Sequence, residues 1–233
     1  CLRYSGQAGN RTPNPEFCPM LSLQGNILIF SRSQISTEPI SFNKTKDFEI
    51  YICQKQFEIW NKPILLNING LDRKKIITVA GISIDGKHIY LSIGNIENRD
   101  IYRGKIVKNE ITELTSLDFL NSDANELHIW VNNDESDIYF SSNRHKGFGG
   151  YDIYNIKKNS KGRWEKARNL GDKINSEFDE INPGMLPDNK TLYFSSNNLY
   201  SLGGFDIFCS KHDKEGNWNS PENIGFPVNT VDD

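Results

Sequence analysis

The chain repeats itself. Ile138-Tyr-Phe-Ser-Ser-Asn143 returns as Leu192-Tyr-Phe-Ser-Ser-Asn197, an offset of 54 residues. At the same offset of 54, Gly149-Gly150-Tyr151-Asp152-Ile-Tyr154 returns as Gly203-Gly204-Phe205-Asp206-Ile-Phe208, and Trp164 returns as Trp218. Asn121-Ser122 returns as Asn175-Ser176 and again as Asn229-Thr230. Weaker copies lie upstream. Leu28-Ile-Phe-Ser31 and Ile89-Tyr-Leu-Ser92 match the Tyr-Phe-Ser segment, Glu49-Ile-Tyr51 and Asp100-Ile-Tyr102 match Asp-Ile-Tyr, and Trp60-Asn-Lys-Pro63 matches Trp218-Asn-Ser-Pro221. A period this long restricts the chain to units that stack on one another, because one unit cannot bury its own apolar faces.

Each unit reads as four short strands. In the last, Glu180–Leu186 is strand A, Pro187–Lys190 a tight turn, Thr191–Ser196 strand B, Phe205–Lys211 strand C and Trp218–Ile224 strand D. These runs alternate large apolar with polar or small residues between turns rich in Gly, Asn and Asp. The same pattern gives units over about 11–68, 72–117, 121–171 and 175–226, a short segment at 1–10, and at 227–233 the opening of a further unit. Nowhere is there room for a long helix. Four-stranded units of this length predict an all-β chain, a β-propeller with four blades visible, and four is few for a closed ring. The expectation is therefore a larger ring, of which these blades are a part. Alone they would be prone to association. A β-sandwich is the alternative, but it supplies no reason for a regular repeat.

Composition narrows the function classes. Apolar residues make up 36% and aromatics 11%, which excludes a disordered chain. Lys plus Arg is 27 against 30 Asp plus Glu, a net charge of −3, so nucleic acid is not an expected partner. No apolar run approaches the roughly eighteen residues of a membrane span. The four cysteines, Cys1, Cys18, Cys53 and Cys209, form no C-x-x-C pair. Cys1 reads either as the acylated first residue of a mature bacterial lipoprotein or as the arbitrary start of a fragment.

Recurrence separates fold from function. An acidic residue opens strand C four times, as Glu49, Asp100, Asp152 and Asp206, and a catalytic carboxylate is not needed in every blade. Side-chain bonds to nearby backbone N–H groups are the expected role. Gly149-Gly150 and Gly203-Gly204 are expected to allow positive φ or close backbone approach, since no phosphate-loop pattern surrounds them. Trp60, Trp164 and Trp218 on strand D are expected to pack between blades. The chain has no G-x-S-x-G and no H-E-x-x-H, and His88, His128, His145 and His212 have no ligand spacing. The acid-rich Asn132–Asp137 turn lacks a full calcium-ligand series. No enzyme activity, cofactor or metal is expected.

The motif Tyr-Phe-Ser-Ser-Asn, then Gly-Gly-Tyr-Asp-Ile-Tyr, then Trp and Asn-Leu-Gly, resembles the TolB-type propeller repeat. That repeat is WD-like and carries a Pro-Asp-Gly turn, matched here by Ile84-Asp85-Gly86-Lys87 and Pro187-Asp188-Asn189-Lys190. The variant looks like the propeller of OmpA-family envelope proteins of Bacteroidetes-type bacteria, which carry tetratricopeptide repeats before it and a peptidoglycan-binding domain after it. A PorE-like branch belongs to the type IX secretion apparatus. The resemblance covers nearly the whole chain and is strongest in units three and four. Unit two departs from it, with no Gly-Gly before Asp100 and no Trp after it. It implies a periplasmic, outer-membrane-associated setting with envelope or secretion proteins as partners, and peptidoglycan bound through a domain outside this chain.

What differs between blades points to binding. The B–C loops and D–A connections open on one face. They carry Arg144, His145, Lys146, Phe148, Leu199 and Tyr200, the Gln34–Asp47 insertion, and Glu177 and Asp179 nearby. Rigid strands with variable loops suit recognition. Protein docking is the leading reading. Glycan binding through Trp faces, and an accessory propeller of a hydrolase, are the rivals.

Overall fold

The computed structural model describes residues 16–33, 48–69 and 75–231. Cys1, the 1–10 segment and the Gln34–Asp47 insertion lie outside them. Within them the chain is all strand and turn, with no helix. It forms four sheets in sequence order, a four-bladed propeller arrangement. Blade 1 contains β1 (Glu16–Leu21), β2 (Ile27–Ser33), β3 (Phe48–Gln56), β4 (Ile59–Trp60) and β5 (Ile64–Leu65). Blade 2 contains β6 (Asn67–Ile68), β7 (Ile76–Ile82), β8 (His88–Gly94), β9 (Arg99–Val107) and β10 (Glu110–Ser116). Blade 3 is β11 (Glu126–Val131), β12 (Asp137–Ser142), β13 (Asp152–Lys157) and β14 (Arg168–Asn169). Blade 4 is β15 (Glu180–Met185), β16 (Thr191–Ser196), β17 (Asp206–Lys211) and β18 (Glu222–Asn223).

Each sheet is built on an antiparallel meander, to which β6 adds a parallel edge strand beside β10 in blade 2, and matching registers repeat across blades. Phe140 lies opposite Tyr154 in blade 3, and Phe194 opposite Phe208 in blade 4. The rings of these pairs stack, with centroids 5.7 and 6.0 Å apart, and so do Phe30 and Tyr51 in blade 1, at 5.8 Å. Strand D departs from expectation. In blades 3 and 4 it shrinks to two residues, β14 and β18, while Trp164 and Trp218 sit in single bridges to Lys158 and His212. Blade 2, the least regular in sequence, has the longest fourth strand, β10, which pairs with β9 across a register shift between Thr112 and Thr115.

The core lies between blades as three clusters. Ile29, Ile52, Val79 and Leu91 join blades 1 and 2. Tyr90, Ile129, Phe140 and Tyr154 join blades 2 and 3. Tyr139, Ile153, Ile174, Leu192 and Phe194 join blades 3 and 4. This explains why β8 and β12 are buried on both faces. The linker asparagines fasten one blade to the next. Asn121, Asn175 and Asn229 each bond the backbone N–H and C=O of the strand-C residue at Ile101, Ile153 and Ile207, at 2.8–3.0 Å.

The first strands are innermost. At the third position of β1, β11 and β15 stand Cys18, His128 and Asn182, and at the fourth of β7 stands Val79, 49 residues before His128, each near a bulge. Cys18 Sγ and His128 Nε2, from blades 1 and 3, meet at 3.9 Å. A contact between blades that are not neighbours places this tier on the central axis.

Candidate functional site

The loop-bearing face is built on a repeated polar frame. A carboxylate opens strand A: Glu126 in blade 3 and Glu180 in blade 4, both fully buried. Glu180 accepts bonds from Ser176 N, Ser176 Oγ and Ser196 Oγ at 2.6–2.9 Å. Burial still pushes its carboxyl above the usual range, against these donors. Glu126 accepts from Ser122 Oγ and Ser142 Oγ, and also from Arg144 at 2.8 Å. Neither glutamate was singled out in the sequence. The signal was available, since Ser122…Glu126 recurs as Ser176…Glu180.

The strand-C aspartates form a second layer. Asp152 Oδ2 accepts from Phe148 N and Asn169 Nδ2, both at 2.7 Å. Asp206 Oδ2 accepts from Leu202 N at 2.6 Å and Asn223 Nδ2 at 2.7 Å. Each carboxylate therefore ties its B–C loop to strand D. In blade 2, Asp100 is raised above its ordinary range, chiefly by burial and then by the charge of Glu126. Gly149 and Gly150 serve close approach rather than positive φ. A Cβ on Gly149 would strike the backbone of Ser176 and Glu177, and one on Gly150 would strike Asp179. Gly203 lies close to the backbone of Thr230, though less tightly, and Gly204 adjoins it in the same loop.

The eight expected binding residues divide into two groups. Arg144 turns inward: its guanidinium reaches Glu126 and the Leu120 carbonyl and covers the Phe140 and Tyr154 rings. Asp179 accepts from Tyr151 N and Asn197 Nδ2 within the fold. Both are engaged because each caps a buried group that water cannot reach. The other six, His145, Lys146, Phe148, Leu199, Tyr200 and Glu177, are exposed. Leu199 and Tyr200 stand out furthest, 80% and 79% exposed, on a turn closed by Tyr200 N to Asn198 Oδ1. Leu202 and Phe205 extend the same apolar surface.

The tryptophans lie off this face. Trp164 has Phe119 stacked on it at 4.3 Å and the Lys158 ammonium 4.8 Å from its ring. Trp218 packs on His212 at 3.7 Å and on the edge of Tyr139. Trp60 is half-buried on blade 1. On the opposite face, turns of blades 2 and 3 border a cleft of about 100 Å³ lined by Ser83, Asp85, His88, Tyr90, Asn132 and Glu135. Its charges are matched, Asp85 with Ser83 and Lys87, Glu135 with Arg103 at 2.7 Å.

No protein-family model and no curated protein matches the sequence. Similarity appears in the fold. TolB from Acinetobacter baumannii superposes with a TM-score of 0.53 at 15% identity, over 88% of this chain and 43% of that one. A thermostable family-43 glycoside hydrolase gives 0.57 at 11% identity, over 91% of this chain and 73% of that one. A puromycin hydrolase gives 0.50 at 10% identity, over 91% of this chain and 28% of the other. This chain thus spans less than half of that TolB. The likeness establishes the β-propeller fold alone, one that TolB and hydrolases share.

Proposed function

We propose that this propeller is a non-catalytic docking module that takes protein partners on the loop-bearing face of blades 3 and 4. The observation that carries the reading is the outward Leu199-Tyr200 pair on the B–C loop of blade 4, continued by Leu202 and Phe205, with Phe148 on the equivalent loop of blade 3. Aromatic and large apolar side chains held on a rigid frame are the composition of interface cores. The carboxylates of this face are engaged as acceptors for backbone, serine and asparagine donors, which supports a binding role over an acid–base one. Glycan stacking is disfavoured at Trp164, because Phe119 already stacks on its ring and the Lys158 ammonium lies 4.8 Å from it.

The motif resemblance to OmpA-family and PorE-like proteins supports an envelope setting: periplasmic, outer-membrane-associated, and linked to type IX secretion or peptidoglycan anchoring. The partners are then envelope or secretion-apparatus proteins. The test is cross-linking of the tagged full-length protein in intact source cells, with Leu199→Asp/Tyr200→Asp and Phe148→Asp variants alongside. The expected result is a small set of envelope proteins that both variants lose. Capture that ignores these residues, or that returns only peptidoglycan fragments, overturns the reading.

A further inference from the structure

Blades 3 and 4 meet through two matching faces. Tyr139, Ile153 and Ile174 on the side of blade 3 pack against Met185, Leu192, Phe194 and Phe208 of blade 4. Both halves of this contact occur a second time, uncovered. On blade 4 the residues 54 further on are Tyr193, Ile207 and Val228. Val228 is 58% exposed, whereas Leu120 and Ile174, at the same position after blades 2 and 3, are 1% and 3% exposed. Blade 1 supplies the other half. Leu21 pairs with Leu28 as Met185 pairs with Leu192, and Phe30 lies opposite Tyr51 as Phe194 lies opposite Phe208. Leu21 is 51% exposed, against 7% for Met185 and 3% for Val131, its counterpart in blade 3. Among the described residues no apolar cluster joins blade 4 to blade 1, so the chain's own first blade does not cover this face.

The face of blade 4 is furnished as a seat. Asn229 clamps the Ile207 N–H and C=O as Asn175 clamps those of Ile153, and Gly203 lets the Thr230 backbone pass close by, as Gly149 does for Ser176. The strand seated on blade 3 is β15, Glu180-Ile-Asn-Pro183-Gly-Met185, and blade 1 opens on the same pattern, Glu16-Phe-Cys-Pro19-Met-Leu21. The rim of this seat is more apolar than that of the internal ones. The link carries Asp118 and Asp123 after blade 2, Asp172 and Glu177 after blade 3, but Phe226 and Val231 after blade 4, both strongly exposed. Between consecutive blades the peptide link holds the two faces together. A contact between separate molecules must also offset lost translational and rotational freedom, and added apolar area does so.

We infer that blade 4 seats blade 1 of a second copy of this chain, head to tail, in the manner of the contact between blades 3 and 4. Leu21 of one copy then takes the place of Met185, and Tyr193, Ile207 and Val228 of the other are covered as Tyr139, Ile153 and Ile174 are. Repeat stacks whose end faces stay in solvent carry a polar outer face, and these two faces are apolar. The contact is heterologous, so a pair keeps one free seat and one free first blade, and copies add in series unless the rotation closes a ring. The inference stands apart from the docking reading, because it concerns the flank of blade 4 and is tested on the purified chain with no other protein present.

The test is sedimentation velocity over about 1–100 μM, where the unaltered chain should associate with rising concentration. Leu21→Asp and Val228→Asp should each weaken association by about ten-fold or more. Lys161→Gln, on an exposed turn of blade 3, should not change it. A mixture of the two aspartate variants separates the possible geometries. Each variant lacks one half of the contact and keeps the other, so the mixture should form a pair and stop there, at concentrations where either variant alone is monomeric. Three results overturn the proposal. A monomeric unaltered chain throughout means that the seat belongs to a blade of a different kind. Leu21→Asp associating like the unaltered chain means that blade 4 meets blade 4. A mixture no more associated than its components means that the contact is not head to tail. Should Val228→Asp lose its cooperative melt, Phe226→Asp takes its place.

Discussion

His128 shows how one buried side chain sets the acid behaviour of the fold. Its Nε2 faces Cys18, its Nδ1 faces Ser141 Oγ at 3.5 Å, and the Arg99 charge lies close by. Burial, and then Arg99, lower its pKa from 6.5 to about 4. The unfolded chain takes up this proton near pH 6.5, the folded chain only near 4. Stability therefore falls as pH drops from 6.5 toward 4 and levels off below that. The loss from this group is about 3 kcal/mol, at 1.36 kcal/mol per pKa unit. Val79 occupies the equivalent position in blade 2, so His128→Val keeps an accepted shape. Urea denaturation between pH 4 and 7 should show that decline in the unaltered chain and not in the variant. An equal decline in both would show that the acid sensitivity lies elsewhere. Glu180, with its raised carboxyl, acts in the opposite sense and is left in place by the substitution.

At the scale of the element, the linker asparagines carry more than their size suggests. Asn175 satisfies both backbone groups of Ile153 and also donates to Asn169 Oδ1 at 2.7 Å. Asn175→Ala leaves the buried Ile153 N–H without a partner, while the Ile153 C=O keeps the Leu170 N–H at 3.1 Å, a cost of about 2 kcal/mol. Chemical denaturation measures it, and a loss under about 1 kcal/mol would mean that water replaces the amide. The recurrence of Asn121, Asn175 and Asn229 was legible in the sequence, and so were strands B and C, whose alternation follows from burial between blades. Strand D was not. It pairs over two residues, Tyr154 with Asn169 and Asn155 with Arg168 in blade 3, and so buries too little to impose a pattern. Asn125 escaped notice for another reason: it bonds Ile96 of blade 2 and Asn143 of blade 3, and no local spacing records that. Arg144 and Asp179 look like free loop residues in sequence, yet the buried groups they serve claim them.

For the whole molecule, the 54-residue offset allows one face to be compared with its copy. Tyr139, Ile153 and Ile174 are 3%, 0% and 3% exposed, because blade 4 covers them. Their counterparts in blade 4 are Tyr193 and Ile207, half-buried, and Val228, exposed. The same side chains thus differ in energetic weight by position alone. Ile153→Ala should cost about 2–5 kcal/mol, the range for a buried isoleucine. Ile207→Ala should cost clearly less, and thermal or urea unfolding of the two variants compares them directly. Equal losses would show that the outer face of blade 4 is as well covered as that of blade 3.

The asparagine links have a geometric consequence. Blades 3 and 4 each take part of their placement from the strand-C residue of the blade before, so orientation is handed along the chain as well as set at the axis. Two such hand-overs, at Asn121 and Asn175, precede the Asn229 link. Angular errors in such a series accumulate, as they do in a spiral staircase whose treads are each hung from the previous one. The width of the axial opening is the sum of those steps, and a change in one linker would alter it without touching a residue that lines it.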